Sequence, residues 1–335
     1  MNSEDLKEFY HQKRILVTGG LGFIGSNLAI ELVRLGARVT ILDGLIPGLG
    51  GNEFNIEPIK HRVNLVIGDL SHLSHLGNLQ KILSSQDIIF NLAGTHSHVD
   101  SMKNPLKDMQ LTCEPQIVFL EACRKYNPKV KIIMAGTRNQ YGKPHYLPVD
   151  EHHPLEPLDI NGAHWLAVEN YHLLYYRVYG LATCSLRLTN TYGPRHQMRH
   201  PYQGILNWFV RLSLDGKPIP LFGTGLQHRD MNYVDDVCNA FLLAARSDST
   251  TGEMYNVGGE SISLADFAGE VVKIIGKGKV VTAPFPKEQK RIEPGDYKAN
   301  WHKIHKDLGW QPYTSIKNGL RKTIRFYERY KDHYW

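Results

Sequence analysis

Thr18-Gly19-Gly20-Leu21-Gly22-Phe23-Ile24-Gly25 is the stretch on which the fold turns. On its N-terminal side, residues 14–18 read Arg-Ile-Leu-Val-Thr, a short apolar run of the kind buried on both faces of a parallel sheet. On its C-terminal side, residues 23–35 carry apolar side chains at helical spacing and stop at Gly36. The stretch is therefore a strand-to-helix turn. Glycines at 19, 22 and 25 remove the Cβ atoms that would widen the turn, hold a pyrophosphate off the backbone and hold the helix off the sheet. The helix start adds free N–H donors and the positive end of a dipole. An ordinary tight turn uses the same residues, so position has to separate the two readings. No Gly-Lys-Ser/Thr follows, which excludes a triphosphate P-loop.

Working outward, residues 39–42 form a second strand closed by Asp43, eighteen residues after Gly25. A carboxylate there accepts both hydroxyls of an adenosine ribose and repels a 2′-phosphate. No Arg or Lys follows it immediately, so the pair reads as NAD rather than NADP. Residues 63–67, 87–92 and 130–135 repeat the strand pattern with helical stretches between, 106–126 being the longest. Gly68-Asp69-Leu70 closes the third strand, with Asp69 in reach of an adenine. Asn91-Leu92-Ala93-Gly94 closes the fourth with small residues that let backbone lie against the cofactor. Residues 161–179 read as a further helix and 183–188 as a further strand.

This alternation predicts an α/β fold: a doubly wound parallel sheet with right-handed crossovers. After about residue 190 Pro and Gly punctuate shorter elements, as at Gly193-Pro194 and Gly223–Gly225, which predicts a smaller C-terminal α/β substrate lobe. Residues 234–245 and 255–257 read as one more helix and strand of the main sheet. The expected division is thus 1–190 plus about 230–258 for the dinucleotide domain, and 191–229 with 259–335 for a discontinuous second lobe.

Composition narrows the class further. The chain has 335 residues, 42% hydrophobic and 21% charged, too apolar for disorder. No run approaches the ~18 apolar residues of a membrane span, and residues 1–14 lack the apolar core of a signal peptide. The formal charge of +6 comes with no Lys/Arg run and no nucleic-acid module, so neither nucleic acid nor membrane is an expected partner. Cys113, Cys123, Cys184 and Cys238 form neither a zinc knuckle nor a redox pair, and a reduced, cytoplasmic protein is expected. Among seventeen histidines, the pairs His72/His75, His96/His98 and His302/His305 lack a third ligand at a recognisable spacing; no metal is expected.

Taken together, residues 18–25, Asp43, residues 68–70, residues 91–94, the Thr137…Tyr141-Gly142 segment, Leu186-Arg-Leu-Thr-Asn-Thr-Tyr-Gly-Pro-Arg195 and Arg229-Asp-Met-Asn-Tyr-Val-Asp-Asp-Val237 resemble the extended short-chain dehydrogenase/reductases. Within them the match is to NAD-dependent nucleotide-sugar epimerases and dehydratases, and it runs from about residue 13 to 330. The resemblance implies a Rossmann domain holding NAD and a second lobe gripping a nucleoside-diphosphate sugar. A sugar hydroxyl would be oxidised by transient hydride transfer, and the keto intermediate would allow epimerisation, dehydration or decarboxylation. It implies cofactor contacts from Gly19, Gly22, Phe23, Ile24, Gly25, Asp43, Asp69, Leu70, Leu92 and Ala93. His96 stands where the family often places a lysine over the cofactor phosphates. Asn190 and Arg229 match positions that hold the sugar-nucleotide phosphates. Arg291 lies near a second phosphate arginine, although its spacing to Pro294-Gly295-Asp296 departs from the pattern. The family commonly dimerises through the helices matching 106–126 and 161–179, so a homodimer is expected.

The catalytic pattern departs from the family. Thr137, four residues before Tyr141, fits the Ser/Thr that bonds the reacting hydroxyl. The Tyr and Lys of Tyr-x-x-x-Lys, however, fall on Asn161 and Trp165, with Glu169 fixing the register. Asparagine is no base near neutral pH, and indole carries no charge to lower a phenol pKa. Thr112 likewise replaces an active-site asparagine. The candidates for a substitute base are His164, Tyr141, His98 and His145. Helical spacing turns His164 about 300° from Asn161, which favours Asn161 or Trp165 on the cofactor side. Arg138-Asn139 follows Thr137 where the 4,6-dehydratases carry Asp-Glu, so an epimerase is the favoured activity. The alternative is a catalytically degenerate protein that binds NAD and a sugar nucleotide without turnover.

Overall fold

Strand β1 (Arg14–Thr18) is buried from Ile15 to Thr18, and its apolar run fixes it in the middle of a seven-stranded sheet. On one side it pairs with β2 (Arg38–Asp43), which pairs with β3 (Asn64–Ile67). On the other follow β4 (Ile88–Asn91), β5 (Lys131–Thr137), β6 (Thr183–Leu188) and an outer strand, β10 (Met254–Val257). Every pairing is parallel. The order β3-β2-β1-β4-β5-β6-β10 reverses direction between β1 and β4, the place where ligands sit in open α/β sheets. The computed structural model describes residues 3–70 and 79–335; His72 and His75 lie outside the described residues.

Alternate side chains of β1 feed two separate cores, as the pleat requires. Ile15 and Val17 pack with Leu28 of α2 (Phe23–Arg34) and Phe241 of α8 (Val234–Arg246). On that face α1 (Ser3–Tyr10) is tied down by the Tyr10 hydroxyl, which donates to Leu242 O at 2.7 Å. Leu16 and Ile89 pack on the opposite face with Phe119 and Leu120 of α5 (Pro105–Tyr126) and Tyr175 of α6 (Ile160–Tyr179). Next to these, α3 (Leu79–Ser84) and α4 (His98–Lys103) pack against α5, and α4 also against α6. Element ends shift by one or two residues from the sequence expectation, because caps and frayed turns set them.

The remaining strands form two small sheets beside the first. In one, β9 (His228–Tyr233) lies between a parallel β7 (Asn190–Tyr192) and an antiparallel β11 (Glu260–Ser263). In the other, β8 (Pro218–Phe222) runs parallel to β12 (Lys279–Ala283). Helices α7 (Ile205–Leu214) and α9 (Leu264–Ile275) pack together and against β8. Along the rest of the chain α10 (Lys287–Arg291) is followed by α11 (His302–Leu308), which touches β10, and α12 (Ile316–Tyr330), which covers β9 and α9. All four cysteines are free and buried; burial, then the charge of Asp108, pushes the Cys113 thiol up to about 11. Among the described residues no helix is long and apolar enough to cross a membrane, and no three metal-ligating side chains converge.

Candidate active site

A groove of about 630 Å³ opens where β1, β4, β5 and β6 end, with the smaller sheets forming its far wall. One end is the glycine turn. Gly19 has φ +67°, and a Cβ there would lie 2.8 Å from Leu92 O; a Cβ on Gly25 would lie 2.3 Å from Gly19 O. Only glycine fits at these two positions, and the bare backbone that results is the cradle a pyrophosphate needs. Gly22 caps α2 without a side-chain hydrogen bond, which leaves first-turn N–H groups for an anion. Asp43 ends β2 with Oδ2 accepting from Leu21 N and Oδ1 from Leu45 N, both at 2.9 Å. Burial holds its pKa above the ordinary value, and the two amides pull it back. Phe23, Ile24, Asp69, Leu70, Leu92, Ala93 and His96 line the same groove. This cradle, a carboxylate at the end of β2 and small residues after β4 fit a dinucleotide.

The backbone after β4 is held from beneath. The Thr18 hydroxyl donates to Asn91 Oδ1 at 2.7 Å and accepts from Leu92 N at 3.1 Å. Gln116 accepts from Asn91 Nδ2 at 2.6 Å and donates to Ala93 O at 2.8 Å. Further along, the Trp165 indole donates to Thr95 O at 2.9 Å, and Asn161 Nδ2 reaches the same oxygen at 3.2 Å.

Those last contacts differ from the sequence expectation. Asn161 and Trp165 are buried and lie outside the groove lining. Trp165 packs with Cys113, Met134 and Val168, and its ring occupies the space beside Gly94, where a Cβ would sit 2.4 Å from Cζ2. Its other face is parallel to the His96 ring, centroids 5.8 Å apart. Asn161 joins Thr95 and His164 around Asp108. There the Asp108 carboxylate accepts from Thr95 Oγ1 at 2.7 Å, Asn161 Nδ2 at 3.2 Å and His164 Nδ1 at 2.7 Å. Thr112 completes the cluster at 2.9 Å from Thr95 Oγ1. None of Asp108, Thr112 or His164 lines the groove.

Tyr141 is likewise turned into the protein. Its hydroxyl donates to Asn256 Oδ1 at 2.7 Å and accepts from Arg187 Nη1 at 2.6 Å, and burial pushes its pKa far up. Arg187 in turn grips the buried Glu169. His145 pairs with Glu156 at 3.0 Å on the surface, outside the groove. Thr137 does line the groove; its Oγ1 accepts from Asn139 N at 3.2 Å, so its own proton is free to donate.

Of three residues beside Thr137, sequence reasoning weighed Arg138 and Asn139 for the choice of reaction and gave Asp159 no role. Asp159, the N-cap of α6, accepts from Gly162 N through Oδ1 at 2.7 Å and holds His98 Nδ1 through Oδ2 at 2.7 Å. Asn139 Nδ2 lies 3.0 Å from His98 Nε2. Arg138 lays its guanidinium over the Tyr297 ring at 4.8 Å. Burial, then the neighbouring Arg229, lowers the Arg138 pKa to about 10. His98, Arg138, Asn139 and Asp159 all line the groove. The one available signal was an Asp at the N-cap position before residues 161–179, which reads as an ordinary helix start.

On the far wall Asn190 lines the groove with its Oδ1 buried and without a hydrogen-bond partner. Arg229 also lines it, bonded to the Glu293 carboxylate and the Gly295 and His228 carbonyls. Arg291, at the end of α10, is exposed and outside the lining, whereas Ile292, Glu293 and Pro294 beside it face the groove.

The model of the NAD dependent epimerase/dehydratase family matches residues 15–258. A putative UDP-glucose 4-epimerase of Methanocaldococcus jannaschii is 33% identical, over 93% of this chain and 97% of its own. A UDP-N-acetyl-alpha-D-glucosaminuronate decarboxylase of Bacillus cytotoxicus is 29% identical, over 94% and 98%. Among solved structures, the epimerase Mth375 of Methanothermobacter thermautotrophicus superimposes with a TM-score of 0.90 at 25% identity, covering 98% of this chain and 96% of that one.

Proposed function

The chain belongs to the NAD-dependent epimerase/dehydratase family, and from that premise we propose that it epimerises a nucleoside-diphosphate sugar through transient oxidation to a ketone. The observation that carries this reading is the continuity of the groove. It joins the glycine turn and Asp43 to Asn190 and Arg229, with Thr137 and His98 between them. Bound NAD supplies reversible hydride acceptance. Gly19, Gly22 and Gly25 hold its pyrophosphate, and Asp43 its adenosine ribose. His96 faces the groove where it can bond a cofactor phosphate.

The protein's own part is to orient the sugar nucleotide and move one proton. Thr137 donates its free hydroxyl proton toward the reacting sugar oxygen. Asn190 offers the Nδ2 N–H donors of its carboxamide to the diphosphate. The Arg229 charge disfavours the buried Arg138 cation, and Glu293 is bonded to Arg229; a dianion in the groove would favour both cations. Arg138 and Asn139 provide neither the acid nor the base that water elimination needs, which favours epimerisation over 4,6-dehydration.

Two further features belong to the proposal. Helix α5 exposes Leu106 and Met109 near its start and α6 exposes Leu174 and Val178 near its end, apolar side chains that a second copy of the chain would cover in a homodimer. Arg291, exposed beside the lining residue Ile292, is assigned to the rim of the groove as a phosphate contact.

The test is anaerobic incubation of the purified protein with UDP-, CDP-, GDP- and dTDP-hexoses, read by absorbance at 340 nm (the reduced cofactor) and by NMR of the sugar. An inverted stereocentre in one product is expected. Bound NAD with no reaction on any sugar would favour the second reading, a binding subunit, to which the burial of Asn161 and Trp165 gives its support.

A further inference from the structure

We propose that His98 is the catalytic base of this protein and that Asp159 is its positioning residue. The inference rests on the redox reading above and names the group that reading leaves open. It starts from the order of the hydrogen bonds. Asp159 is nearly buried. Burial pulls its pKa upward, but the His98 hydrogen bond, the His98 charge and the Gly162 amide outweigh it and hold the carboxyl below its ordinary value. An ionised carboxylate only accepts, so the proton on His98 sits at Nδ1. The lone pair is then at Nε2, where the Asn139 amide meets it at 3.0 Å. An imidazole held in this tautomer presents Nε2 as a base aimed by a carboxylate.

The same backbone turn links Thr137 to it through Asn139. Asn139 donates its main-chain N–H to Thr137 Oγ1 and its side-chain N–H to His98 Nε2. A sugar hydroxyl that displaces the Asn139 amide therefore meets the Thr137 hydroxyl and the His98 lone pair together. In the forward step the sugar O–H bond breaks and its proton goes to Nε2. The C–H bond of the same carbon would break with its electron pair, and NAD⁺, held by the glycine turn and Asp43, would supply the hydride acceptor. A C=O bond forms, and hydride return with proton return reverses the sequence.

The residues at the family's Tyr and Lys positions explain why the base sits on this loop. Asn161 and Trp165 both donate to Thr95 O. The Asn161 main-chain N–H donates to Ser101 Oγ, whose hydroxyl donates to His98 O at 2.8 Å. The start of α6 thus no longer carries a base; it fixes the 95–101 segment that presents one, and Asp159 at its cap supplies the carboxylate.

Three variants of the holoprotein test this: His98→Ala, His98→Gln and Asp159→Asn, on the sugar nucleotide that the wild type converts. His98→Gln is expected to lose about 100-fold or more in kcat with KM within about threefold. Added imidazole should restore part of the His98→Ala loss. All three should still release NAD on denaturation. Independently of activity, ¹⁵N-histidine NMR of the wild type should report the Nδ1–H tautomer for His98, and Asp159→Asn should shift that signal. A His98→Gln enzyme within threefold of wild type, an imidazole-insensitive His98→Ala loss, or an Nε2–H tautomer would each overturn the assignment while leaving the epimerase reading intact. A wild type that holds NAD and converts no sugar nucleotide would instead remove that reading, and the base with it.

Discussion

Two histidine–aspartate pairs stand on either side of the start of α6, each with Nδ1 at 2.7 Å from a carboxylate oxygen. They are chemically the same and do different things. His98–Asp159 borders the groove, with the His98 side chain 35% exposed. His164–Asp108 is 19% and 6% exposed, outside the groove, and its carboxylate also binds Thr95 and Asn161. The first pair leaves a lone pair where a substrate can reach it. The second spends its acceptor on internal donors and ties α5 to α6. The difference teaches that a perturbed or paired residue marks chemistry only where it faces solvent space large enough for a ligand.

The widest gap between the pairs should appear in turnover. His98→Ala is expected to lower kcat by about 100-fold or more, and His164→Ala to leave it within about twofold; steady-state kinetics on both variants checks this, and equal losses would erase the distinction. Next comes restoration of the family motif. Asn161→Tyr with Trp165→Lys places an ammonium among Cys113, Met134 and Val168 and removes both donors to Thr95 O. The expected cost is about 3–5 kcal/mol with no gain in turnover. A more active double variant would show that the groove still awaits a tyrosine.

Smaller effects sharpen the internal pair. Asp108→Ala strands three donors and should cost about 3 kcal/mol, lowering Tm by about 4 °C at unchanged KM. A last test concerns Asp230, a buried carboxylate with no histidine. Burial raises its pKa to about 7, against the pull of the Ala299 amide and Arg138. Its folded pKa lies above the unfolded 3.8, so the folded state holds the extra proton between them. Its contribution to stability is therefore present at low pH and lost as pH rises toward 7. Thermal melts from pH 4 to 8 should show Asp230→Asn gaining on wild type across that window; parallel curves would refute the shifted titration.

Legibility followed the distance between cause and effect along the chain. The glycine turn, Asp43 and the strand ends are local patterns, and every cofactor residue expected from them lies in the groove. The catalytic wall is built from contacts 41 and 61 residues apart, Asn139 to His98 and His98 to Asp159. His98 was visible only as one histidine among seventeen, and Asp159 only as a helix cap. Tyr141 looked available because it follows Thr137 in sequence. Its burial against Arg187 and Asn256 depends on β6 and β10 closing over it.

By itself the sequence determined the doubly wound sheet, because buried parallel strands are written as continuous apolar runs and a dinucleotide turn as glycines where no Cβ can fit. It also placed Asn161 and Trp165 at the positions where the family resemblance implies a tyrosine and a lysine. Only the tertiary structure decided what those substitutions mean. Asn161 and Trp165 support the segment that carries His98, and which of two similar histidine–aspartate pairs borders the groove was set by packing. Hydrogen-bond geometry and solvent access belong to the folded surface, and no spacing along the chain encodes them.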